Sequence, residues 1–96
     1  MTPFERIEIT ISGTFTIFNW RSPSSEEAFS RANAVHSIPL PEGWQWGTSR
    51  IQPSSYDDVG TVFSTTVWAH RFDDDASVPR ILDADLIAEI QRKALD

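Results

Sequence analysis

An α+β fold, a two-layer sandwich with two helices on one face of an antiparallel sheet of three to four strands, is predicted by three features of this sequence. Apolar residues alternate with polar ones over 6–19, Trp44 and Trp46 share one parity of 44–51, and Thr, Val and aromatics crowd 61–72, which are strand signatures. Two other stretches, after Ser24 and after Asp83, carry apolar residues at helical spacing. The resulting order, β-α-β-β-α, lets long helices pack together on one side of the sheet.

The first strand is read over 6–19, where Ile7, Ile9, Ile11, Phe15 and Ile17 take odd positions and Glu8, Thr10, Ser12, Thr14 and Thr16 take even ones. Gly13 falls on the apolar parity, as a bulge in one bent strand or as the turn of a tight hairpin, and the unbroken parity favours the bent strand. Ser24 followed by Glu27 has the form of a capping box and opens a helix whose stripe is Ala28, Phe29, Ala32, Val35 and His36. That helix ends before Pro39, because a residue preceding proline is steered away from helical angles. Beyond the stiff connector 39–43, the second strand places Trp44 and Trp46 on one face and is ended by Pro53. The segment 53–60 reads as a loop, and 61–72 as a third strand that is apolar on both parities and therefore central or partnered. Residues 78–82 are a short strand or an extended lead-in to the last helix. Asp83 caps that helix; Leu86, Ile87, Ile90 and Ala94 form its stripe, and Arg92 and Lys93 lie near its negative end.

Ninety-six residues make room for one core and one domain, 1–96. At 40% hydrophobic and 23% charged the composition is globular, and with no cysteine the fold relies on apolar burial, as suits a reducing cytoplasm. Neither a secretory signal nor a membrane span is visible. Fourteen acidic against eight basic side chains give a formal charge of −6, and the eight cations are scattered. Such a balance repels phosphate backbones, so direct nucleic-acid binding is not expected and an anionic face meeting a basic protein is.

Catalytic chemistry finds little support. A nucleophilic serine needs a base, and of the two histidines His36 lies on a helix stripe as a half-buried packing residue. Glycines Gly13, Gly43, Gly47 and Gly60 never cluster into a phosphate cradle, so no cofactor is expected. A small metal-dependent protein using His70 with Asp73 and Asp75 is the remaining alternative, since imidazole and carboxylate are ligands for divalent cations.

The four tryptophans, Trp20, Trp44, Trp46 and Trp68, exceed what so short a chain readily encloses, and indoles are enriched in binding hot spots. The run 24–28 opening a helix and the run 38–47 entering a strand, with the small size, the acidity and the lack of catalytic residues, resemble small acidic phage and mobile-element proteins of the anti-CRISPR inhibitor kind. The resemblance implies a non-catalytic binder, acting in the host cytoplasm, that occludes a basic nucleic-acid groove or a subunit surface of a CRISPR effector complex. The candidate partner-binding residues are Asp57, Asp58, Asp73, Asp74, Asp75, Asp83, Asp85 and Glu89, with Trp44, Trp46 and Trp68 as aromatic contacts. A self-associating accessory protein, homodimeric through an aromatic sheet face, is the alternative from another class.

Overall fold

Strands β1 (Ile7–Ser12) and β2 (Phe15–Ser22) come first, followed by α1 (Ser25–His36), β3 (Trp44–Trp46), β4 (Arg50–Pro53), β5 (Phe63–Arg71) and α2 (Ala84–Leu95). This is the architecture of a computed structural model, which describes residues 6–53, 62–72 and 77–95. The class is α+β as expected, with every strand pair antiparallel and both helices packed on one face of the sheet. The sheet has five strands ordered β1-β2-β5-β3, and β4 also pairs with β5. Among the described residues no helix is long and apolar enough to cross a membrane.

The region read as one bent strand is a hairpin. Ser12 pairs with Phe15, which leaves Gly13 and Thr14 as a two-residue loop, and Gly13 has φ +57°. A positive φ at the first loop residue alone belongs to the type II′ turn, whose twist matches that of the flanking strands. The alternation across Gly13 is misleading because a two-residue loop exchanges parities. Odd residues of β1 share a face with even residues of β2, as the pairs Ile7↔Trp20, Ile9↔Phe18 and Ile11↔Thr16 show. Phe18 and Trp20 therefore enter the core, with Trp20 only 1% exposed, while Phe15 and Ile17 face away from it.

The core lies between this inner face and the helices: Phe18, Trp20, Val67 and Ala69 from strands, Val35 from α1, Ile90 and Ala94 from α2. Each large apolar side chain enclosed there contributes about 1.5–3 kcal/mol. Helix α1 starts as expected, with Ser24 Oγ accepting from the Glu27 amide at 3.2 Å. Its buried residues are Ala28, Ala32 and Val35, a narrow stripe that leaves Phe29 about 100° round the helix and 60% exposed. Helix α2 buries Ile90 and Ala94, with Leu86 and Ile87 packed at the margin, matching the expected stripe.

The strand read over 44–51 is two. Trp44–Trp46 pairs with Arg71 to Ala69, Arg50–Pro53 pairs with Thr66 to Phe63, and the Gly47 amide donates to the Trp68 carbonyl between them. Strand β5 is thus central, bounded by β2 on one side and by β3 and β4 in tandem on the other. Residues 78–82 form no strand; Val78 and Leu82 are buried instead, and the segment is held by Trp44 Nε1 donating to the Pro79 carbonyl at 2.8 Å.

Two stability measurements follow from this geometry. Gly43 has φ +92°, and a Cβ built on it would lie 2.6 Å from Val78 Cγ1, whereas nothing lies within 4 Å of a Cβ at Gly13. Gly13→Ala is expected to cost about 1–2 kcal/mol in urea denaturation, from conformation alone, and Gly43→Ala more, with partial recovery in the Gly43→Ala, Val78→Ala double variant. Thr65 is buried with no partner for its hydroxyl among the described residues, so Thr65→Val should hold or raise the urea midpoint. A clear loss would show that the hydroxyl is satisfied in solution.

Candidate functional site on the open face of the sheet

Because both helices cover the inner face, the outer face of the sheet has nothing packed on it among the described residues. The registers place on it Glu8, Thr10 and Ser12 from β1, Phe15, Ile17, Asn19 and Arg21 from β2, and Ser64, Thr66, Trp68 and His70 from β5. Gln45 stands opposite His70 and Arg50 opposite Thr66, completing the far side.

The centre of this face is apolar. Ile17 is paired with Trp68, Phe15 is paired with His70 at 6.1 Å between ring centroids, and Phe15 is 45% exposed. Arg50 lies over the Trp68 ring at 6.0 Å, a cation on an aromatic face. Gly47 presses from the side, since a Cβ there would lie 3.4 Å from Trp68 Cβ. Gln45 Nε2 lies 3.2 Å from His70 Nε2, and the Asn19 amide donates to Ser64 Oγ at 3.0 Å and Thr66 Oγ1 at 2.7 Å. These contacts link β2 to β5 and β3 to β5 across the polar border of the face.

The candidate residues separate. Of the three tryptophans proposed as contacts, Trp68 alone lies on the open face. Trp44 is 5% exposed and is a core residue, which corrects its reading as a surface contact. Trp46 is half-buried on the inner face, donating Nε1–H to the Ile38 carbonyl at 2.9 Å and stacked on His36 at 5.6 Å. Asp83 and Asp85 are exposed and Glu89 half-buried, all at α2, on the opposite side of the sheet from Trp68. Asp57, Asp58, Asp73, Asp74 and Asp75 lie outside the described residues, and so does most of the proposed metal set around His70. Among the described residues no group of three metal-ligating side chains gathers.

Sequence reasoning missed Phe15, Ile17 and Arg50 as members of the site. The available signal was the Gly13-Thr14 pair, which, read as a turn, sends Phe15 and Ile17 outward. Trp20 is enclosed on the inner face; its buried Nε1–H has no partner among the described residues, and neither do the hydroxyls of Ser22 and Thr65 nearby.

His36 is half-buried in the last turn of α1 with no partner for Nε2 among the described residues. A helix C-terminus favours a cation, but burial outweighs it and pulls the imidazole below its usual value of 6.5. The folded protein thus holds fewer protons at this site than the unfolded chain just below pH 6.5. The site's contribution is fully present above that pH and is lost as the pH falls through the folded value. His36→Phe, which keeps a ring on Trp46, should flatten this part of the stability profile measured by urea denaturation between pH 8 and pH 5; an unchanged slope would mean that the imidazole is not desolvated.

Comparison of the chain with protein-family models, with curated proteins and with solved structures finds no match in any of the three.

Proposed function

We propose that the protein is a non-catalytic protein-binding module that seats its partner on the open face of the sheet. The observation that carries this reading is the row of exposed Phe15 with half-buried Ile17 and Trp68, on a face against which neither helix packs. Aromatics at such a surface remove a large apolar area from water with few rotors to freeze, which makes them binding anchors. The border carries Arg21, Arg50 and His70 against Glu8, so the partner segment that fits is apolar with carboxylates at its flanks.

The acidic reading draws on a different surface. Glu26 and Glu27 sit in the first turn of α1 and Asp85 in that of α2, where a carboxylate offsets the positive helix end. Their placement already has a structural cause, whereas that of Phe15 and Trp68 has none. The overall charge of −6 supports the second reading, that the helix side with Asp83, Asp85 and Glu89 meets a basic protein surface as an inhibitor of the anti-CRISPR kind would.

Affinity capture from bacterial lysate at near-physiological salt tests both. A partner retained by the wild type is expected to bind roughly 30-fold more weakly to Trp68→Ala or Phe15→Ala, because loss of one hot-spot anchor costs about 2 kcal/mol or more. Asp85→Asn with Glu89→Gln should leave that binding unchanged. The reverse pattern would move the site to α2, and capture of RNA or DNA instead of protein would overturn the assignment of partner class. Unimpaired CRISPR interference in cells expressing the protein would remove the inhibitor form.

A further inference from the structure

The edges of the sheet are unequal. One is built from β3 and β4, two short strands interrupted at 47–49 and containing Pro53, the features that ordinarily keep an edge from pairing with another chain. The other is β1, six residues without proline, lysine or bulge, and no strand among the described residues pairs with its outer side. In a two-residue hairpin the residues flanking the loop exchange hydrogen bonds, and bonded pairs alternate from there. Ser12, Thr10 and Glu8 therefore bond to β2, and Ile7, Ile9 and Ile11 direct their N–H and C=O groups away from the sheet.

We infer that β1 pairs antiparallel with β1 of a second copy of this chain, about a two-fold axis through Ile9. In that register Ile9 meets its own copy and Ile7 meets the copy's Ile11, so all three outward residues find partners, making about six backbone hydrogen bonds. Glu8 then stands opposite the copy's Thr10. A register shifted by two toward the N-terminus would set Glu8 against Glu8, and one shifted the other way would leave Ile7 without a partner. On the inner face the isoleucines form a continuous ladder across the seam, covering Ile11, which is 49% exposed in the single chain.

Helix α2 supplies the second argument. It packs over β1, and a two-fold axis normal to the sheet runs it antiparallel to its copy. The first half of α2, with Asp85 and Glu89, then runs beside the half of its copy that carries Arg92 and Lys93. The charge gradient along α2 is complementary to itself reversed. Such a dimer keeps both open faces on the same side of one continuous sheet, so a partner with two docking segments would meet both at once. A six-residue seam with one helix flank is a small interface, and dissociation in the roughly micromolar range is expected.

Sedimentation velocity on the full chain, across low to high micromolar concentrations, tests the inference. The wild type is expected to show a monomer–dimer equilibrium. Thr10→Glu, which adds a carboxylate opposite the copy's Glu8 at both ends of the seam, should raise the dissociation constant roughly tenfold, and Thr10→Lys should lower it. Ile11→Pro removes an outward N–H that β2 does not use and should be monomeric throughout, with far-ultraviolet circular dichroism confirming that it is folded. Trp68→Ala should dimerise like the wild type, so failure of the open-face reading and failure of this one are distinguishable. A strict monomer, equal shifts for the two Thr10 variants, or a dimer lost in Trp68→Ala would each overturn it.

Discussion

The left-handed backbone at Gly13 is the constraint on which the rest of the molecule depends. A two-residue loop with φ +57° at its first position closes the hairpin tightly, and because side chains alternate with period two, loop length decides which residues of β2 face the helices. One residue more or fewer would turn Phe15 and Ile17 inward and expel Phe18 and Trp20. The same turn also decides which backbone groups of β1 point away from the sheet. Core, docking face and free edge are three consequences of one local conformation.

Strand β5 carries that decision across the sheet. Paired along its length with β2, it brings Val67 and Ala69 beneath the helices and Trp68 and His70 to the open side. Its far side is shared by β3 and β4, and the Gly47 amide closes the gap between them on the Trp68 carbonyl. The two tryptophans of β3 are held through their polar handles, Trp44 on Pro79 and Trp46 on Ile38, which ties β3 to the crossing segment before α2 and to the end of α1. Indoles so anchored are structural. Trp68, with Arg50 over its ring, is the one on the open face.

Charge is distributed along a different logic from the aromatics. The described carboxylates concentrate at helix starts, where backbone N–H groups lack partners and negative charge is favoured. The open face carries arginines beside its aromatic centre. An acidic protein thus carries two arginines, Arg21 and Arg50, on the open face of its sheet, so net charge alone misdescribes that surface.

The sequence by itself determined the two helices, the central position of β5 and the common face of Trp44 and Trp46, because these follow from local periodicity, a serine cap and a strand apolar on both parities. The division of 44–53 into two strands was not legible, since it depends on how both halves lie against β5. Nor was the sorting of the tryptophans, or the membership of Phe15, Ile17 and Arg50 in one surface. Alternation states which residues share a face within one strand, but which face is inside is settled only when a turn and its partner strand set the register. Tertiary pairing decided what this protein displays, because burial is a property of neighbours distant in the chain.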